Sequence, residues 1–125
     1  MDTTGKHLIV EYWGCPREAL LDQDTLQMIL VGAARVVDAT VVDSVVREFP
    51  GGGLSGVVVL EGSHFSIHTW PEAGYAAADF YVCGNCDPWK AHIMIKNGLG
   101  AQREHTLLIE RGLSEFHPSF DIIQS

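Results

Sequence analysis

Between residues 55 and 83 three strand-length segments follow one another with almost no connecting chain, and this restricts the fold more than any other feature. Residues 55–61 (SGVVVLE) are a β-branched run suited to a strand buried on both faces. Residues 63–70 (SHFSIHTW) alternate, with Ser63, Phe65, Ile67 and Thr69 on one face and His64, Ser66, His68 and Trp70 on the other. Residues 75–83 (YAAADFYVC) form the third strand. Only Gly62 and the turn Pro71-Glu72-Ala73-Gly74 separate them. A parallel pair needs a crossover of a dozen residues or so, so connections this short demand antiparallel pairing.

The flanks follow the same logic. Residues 6–13 (KHLIVEYW) and 40–49 (TVVDSVVREF) read as strands, the second closed by Pro50-Gly51-Gly52-Gly53. Leu26, Ile29, Leu30, Ala33 and Val37 recur at helical spacing, so a helix is expected from a cap at Asp22 or Asp24 to about Ala39. Asp87-Pro88 starts a second helix, expected to run to about Asn97 and stop at Gly98. Residues 101–110 make a last strand, and the final 15 residues, with Phe116, Pro118 and Phe120, are expected to be an irregular arm. The order β-α-β-β-β-β-α-β predicts one α+β domain over residues 1–125. It is a two-layer sandwich, a mainly antiparallel sheet with two helices on one face. The uncovered face is expected to be a dimer surface.

Composition narrows the function. With 46% hydrophobic and 19% charged residues, disorder is excluded. Eight Lys and Arg against 16 Asp and Glu leave a net charge of -8, which argues against nucleic acid and anionic membranes as partners. No run approaches the ~20 apolar residues of a membrane span, and no apolar signal core opens the chain, so a cytoplasmic protein is expected. Three cysteines, Cys15, Cys83 and Cys86, are an odd number and do not suggest a disulfide scaffold.

Reactive side chains concentrate at Ser63, His64, Ser66, His68 and Thr69, and at Cys83-Gly84-Asn85-Cys86. Four chemistries compete there. Cys83 and Cys86 have metal-ligand spacing and could join His64 and His68, although a structural zinc site usually draws both ligand pairs from turns. A CxxC redox pair would place a thiol at a helix start, but Cys86 precedes the Asp87 cap. A serine hydrolase would need a GxSxG elbow, and the chain reads Glu61-Gly62-Ser63-His64-Phe65. Self-cleavage at Ser63 requires the hydroxyl to attack the preceding carbonyl, which a small Gly62 favours, with His68 as base and Ser55 nearby.

Several stretches resemble the short prokaryotic S-adenosylmethionine decarboxylases. They are Leu54-Ser55-Gly56-Val57-Val58-Val59, the run from Ser63 to Glu72, Gly74-Tyr75-Ala76-Ala77, Asp79 and Cys83-Gly84. Gly5-Lys6-His7-Leu8-Ile9-Val10, Gly14-Cys15 and Asp87-Pro88 also match. The resemblance covers about residues 5–112. It implies a pyruvoyl-dependent decarboxylase, usually a homodimer of cleaved protomers. Ser63 is implied as the serine that becomes the pyruvoyl group and forms the Schiff base with substrate. The β chain is then 1–62 and the α chain 63–125. His68 is implied as the processing base, Ser55 as its support and Cys83 as the proton donor in decarboxylation. No metal is implied. Phe49, Phe65 and Trp70 are expected to stack on substrate, with Glu72 and Glu61 as acceptors. The chain departs from the family at Gly62, where Glu is usual, at the loop Phe49-Pro50-Gly51-Gly52-Gly53, and at Ala73, where an aromatic is usual. These departures leave ornithine or arginine as rival substrates of polyamine synthesis, and a processing-dead binding subunit as a third reading.

Overall fold

The computed structural model describes residues 2–115 and 120–124, the latter by backbone alone. Seven strands form one antiparallel sheet in the order β2-β3-β4-β5-β1-β6-β7. They are β1 (Gly5–Trp13), β2 (Val41–Glu48), β3 (Leu54–Leu60), β4 (Ser63–Trp70), β5 (Tyr75–Cys83), β6 (Arg103–Arg111) and β7 (Phe120–Gln124). The β3-β4-β5 meander is the one the short connectors demanded.

The expected irregular arm is corrected in part: β7 pairs with β6 from His105↔Gln124 to Ile109↔Phe120. An unpaired β6 edge would leave a row of open N–H and C=O groups, and β7 occupies it. Phe116 and Pro118 lie outside the described residues.

Two helices, α1 (Gln23–Val36) and α2 (Pro88–Leu99), cover one face. The Asp22 carboxylate accepts from the Thr25 N–H at the start of α1, and the Asp87 carboxylate accepts from the Trp89 N–H at the start of α2. α1 ends at Val36 rather than Ala39, since Asp38 turns to a left-handed φ of 60°. α2 stops at Gly100, with φ 65°, and not at Gly98. Gly98 instead lets α1 approach: a Cβ there would stand 2.8 Å from Cδ1 of Ile29.

The core lies between helices and sheet. Leu8, Val10, Val58, Phe65, Ile67 and Phe80 point into it and are essentially unexposed. The rings of Phe65 and Phe80 meet edge to face at 5.1 Å. A chain of polar groups is built into this layer. The Tyr12 hydroxyl lies 2.8 Å from Nδ1 of His92, whose Nε2 is 3.5 Å from Glu104. No helix among the described residues is long and apolar enough to cross a membrane.

Candidate active site

The face that the helices leave open carries most of the reactive groups, while Ser63, at the start of β4, shares the parity of Phe65. Alternation sends His64, Ser66, His68 and Trp70 of β4 to it, while Phe65, Ile67 and Thr69 go to the core. Phe65 is therefore corrected as a substrate contact. It is fully buried against Phe80, with no path to the open face.

The remaining candidates separate into two groups. At one end, register pairs Ser55 with His68, and Ser55 Oγ lies 2.7 Å from His68 Nδ1. This pair opens into a cleft of about 510 Å³ lined by Phe49, Gly53, Trp70 and Glu72 among others. Phe49 and Trp70 are each about half exposed (53% and 50%), so their ring faces are available to a flat ligand. Trp70 is held by Tyr75, 5.2 Å away, which in turn packs on Trp13 at 4.4 Å. The Tyr75 hydroxyl donates to Glu11 Oε2 at 2.8 Å. Burial first, and then that carboxylate, pushes the Tyr75 phenol up to about 12.

At the other end stands Ser63, directly after the β3–β4 turn. The turn residues are Glu61, exposed, and Gly62, with φ 72°. A Cβ at Gly62 would meet nothing within 4 Å, so glycine is favoured there by the left-handed backbone and not by space. The β4–β5 register pairs His64 with Tyr81, and continuing it sets Cys83 opposite Gly62, beside Ser63. Cys83 is exposed at the end of β5, and its Sγ lies 3.4 Å from Sγ of Cys86.

Five residue steps of strand separate Ser63 from His68, about 16 Å at roughly 3.3 Å per step. Along β4 of one chain the Ser55–His68 pair therefore stands away from Ser63.

Between the groups lies a cluster whose convergence the sequence did not reveal. Asp79 accepts from His7 Nε2 at 2.5 Å, from His64 Nε2 at 2.9 Å, and from the Ser66 hydroxyl. Arg111 Nη1 lies 3.0 Å from His7 Nδ1 and can only donate, so Nδ1 accepts and Nε2 carries the proton given to Asp79. Burial opposes the Asp79 charge, but the bonds from His7, Ser66 and His64 outweigh it and hold this carboxyl well below the usual range. Among the described residues this is the one grouping of three metal-type ligands. The foursome of Cys83, Cys86, His64 and His68 considered from spacing is not brought together. Asp79 and His7 were visible as polar residues in apolar strands, but only the β1–β5–β4 register shows that they meet.

The family model for S-adenosylmethionine decarboxylase matches residues 6–112. The chain is 44% identical over 113 residues to the S-adenosylmethionine decarboxylase proenzyme of Thermotoga maritima, covering 90% of this chain and 87% of that one. It is 42% identical to the proenzyme of Geobacillus kaustophilus, covering 90% and 91%. The crystal structure of the adenosylmethionine decarboxylase from Aquifex aeolicus superposes with a TM-score of 0.82 at 32% identity, covering 94% of this chain and 98% of that one. A structure from Trypanosoma brucei, 14% identical with a TM-score of 0.62, shares the fold over 83% of this chain and 45% of its own. With a family model spanning most of its length, and relatives this similar across nine-tenths of it, the chain belongs to the S-adenosylmethionine decarboxylase family.

Proposed function

We propose that this chain is a proenzyme that cuts itself between Gly62 and Ser63, and that its pieces 1–62 and 63–125 form a pyruvoyl-dependent decarboxylase. The substrate is S-adenosylmethionine, and the product donates aminopropyl groups for spermidine. The observation that carries the reading is Ser63 itself, the first residue after an exposed turn, with Cys83 across the register.

The residues fit the group they would generate. Space around Gly62 is open, Glu61 is exposed and donates its N–H to the Thr40 carbonyl, and Phe65, two residues beyond Ser63, anchors β4 in the core. A cut at the turn releases Ser63 without opening the domain. Ser63 Oγ attacks the Gly62 carbonyl carbon, converting the amide to an ester. A base then takes the Ser63 α-proton, elimination breaks the ester, and water replaces the liberated amine with a ketone. The pyruvoyl group so formed supplies an electron sink for the bond to the departing carboxylate. Cys83 Sγ holds the proton that the former α-carbon requires. In the cleft, Phe49 and Trp70 offer faces for adenine, and Glu72 offers an acceptor for ribose hydroxyls. The family match favours this substrate over ornithine or arginine.

The ~16 Å between Ser63 and His68 supports a homodimer built on the open faces. A twofold axis through that face exchanges its ends, bringing one copy's Ser55–His68 pair and cleft to the other copy's Ser63 and Cys83. Ile9 and Val59, 38% and 44% exposed on this face, are apolar surface for such a contact.

Mixed dimers test both parts. Ser63→Ala alone should stay uncleaved and inactive, because no other hydroxyl can form that ester. His68→Ala alone should also stay uncleaved. Co-expressed, they should restore cleavage to about half of the His68→Ala chains, those paired with a Ser63→Ala chain that supplies His68. Cleavage of Ser63→Ala would overturn the processing reading. No cleavage in mixed dimers would overturn the shared site.

A further inference from the structure

The Cys83–Cys86 pair is left unexplained by processing and decarboxylation, which call on Cys83 alone. The two sulfurs lie 3.4 Å apart, and both thiols are free. The chain between them is held at both ends. Cys83 closes β5, where the Gly84 N–H donates to the Thr4 carbonyl at 3.0 Å. Cys86 donates its N–H back to the Cys83 carbonyl at 3.0 Å, and Asp87 caps α2 immediately after. A four-residue turn keeps its end Cα atoms within about 7 Å, and disulfides span about 4.4–6.8 Å. Closing the sulfurs to about 2.05 Å takes a movement of roughly 1.4 Å, which side-chain rotation supplies without unfolding the turn.

We propose that Cys83 and Cys86 form a reversible disulfide that switches the decarboxylase off, with a peroxide as the oxidant. This rests on Cys83 being the proton donor. Cys83 Sγ attacks one peroxide oxygen as its own proton is given up. The O–O bond breaks, and after proton uptake water leaves and a sulfenic acid remains on Cys83. Cys86 Sγ then attacks the Cys83 sulfur, the S–O bond breaks and a second water leaves. In total two thiols and one hydrogen peroxide give one disulfide and two waters. The oxidised Cys83 has no proton to deliver, and dithiol exchange restores it. The order of attack follows from the surroundings. Cys83 is the more exposed of the two and meets the oxidant first, while burial, and then the hydrogen bond to Cys83, pushes the Cys86 thiol up to about 11. Cys15 takes no part, being buried in the core. Spacing alone had argued against a redox pair because Cys86 precedes the Asp87 cap. That objection applies to a thioredoxin-type catalyst and not to a regulatory pair.

The test uses cleaved enzyme titrated with hydrogen peroxide and then returned to dithiothreitol. Free thiols should fall from three to one, and intact mass should show the loss of two hydrogens in the 63–125 chain. Decarboxylation should fall in step by at least about 100-fold and recover on reduction. Cys86→Ser should match the native rate when reduced and should form no disulfide. With no resolving thiol, its Cys83 should stop at a sulfenic acid that dithiothreitol reverses, or pass on to a sulfinic acid that it does not. No cross-link in the native chain would overturn the proposal, as would a complete cross-link with activity retained. Reduced Cys83→Ser separates the underlying reading: full turnover there would mean that Cys83 is not the donor, whatever the mass spectrum shows.

Discussion

On the helix side of the sheet, β4 contributes Phe65, Ile67 and Thr69, all buried. On the other side the same strand contributes His64, Ser66, His68 and Trp70, all at least partly open. In the first set Phe65 and Ile67 are interchangeable in chemistry but not in volume, because they fill a close-packed layer, while the Thr69 hydroxyl accepts from the Leu54 N–H and donates to the Leu20 carbonyl. The second is interchangeable in volume but not in chemistry, since each side chain faces a donor, an acceptor or the cleft. Stability and function are thereby assigned to opposite faces of one strand, and substitutions in neighbouring residues should report different things.

Phe65→Ala should show the largest loss of stability, about 3–5 kcal/mol, as a cavity opens against Phe80. His68→Ala, three residues away on the exposed side, should change stability by no more than about 0.5 kcal/mol while abolishing cleavage. Urea unfolding of the two, each carrying Ser63→Ala so that all chains are intact, makes the comparison. If His68→Ala costs as much as Phe65→Ala, the division between the faces fails.

That division was legible in the alternation of residues 63–70, as were the meander and both helix caps, because these follow from local spacing. Three features were not. β7 depends on β6 offering an edge, and nothing in residues 120–124 announces that pairing. Phe65 was counted with Phe49 and Trp70 because aromatic character outweighed its parity, although parity already set it with Ile67 in the core. The meeting of His7, His64 and Asp79 requires three strands in register, with 72 residues separating His7 from Asp79. The separation of Ser63 from His68 could have been read from strand rise. It was obscured because a family resemblance assigns roles residue by residue and carries no distances.

Asp79 is a smaller and different probe, a charge sustained on the open face by three donors. Asp79→Asn should cost about 1.5–3 kcal/mol at neutral pH, the range for hydrogen bonds to a charged group. Its folded pKa lies below the ordinary 3.8, so its contribution is fully present above about pH 4 and is lost as pH falls further. The gap between native chain and variant should therefore be constant above about pH 5 and begin to narrow as pH falls from about 4 to about 3. Parallel curves would mean that Asp79 is not held ionised by its neighbours.

The smallest expected effect comes from a buried titratable group on the helix side. His92 is buried beside Tyr12, and desolvation lowers its pKa below 6.5, against the opposing pull of Glu104. A histidine that resists protonation when folded binds its proton more readily when unfolded. The stability it allows is thus complete above about pH 6.5 and is eroded as pH falls below that value. His92→Gln retains an acceptor for the Tyr12 hydroxyl and has nothing to protonate. Between pH 7.5 and pH 5.5 the native chain should lose stability that the variant keeps, read as the difference in denaturation midpoint. The two faces would then weaken in separate windows, the helix side near the histidine range and the open side only below the carboxylate range. An equal loss in the variant would move the neutral-pH sensitivity away from His92, and the helix side would contribute no titration of its own there.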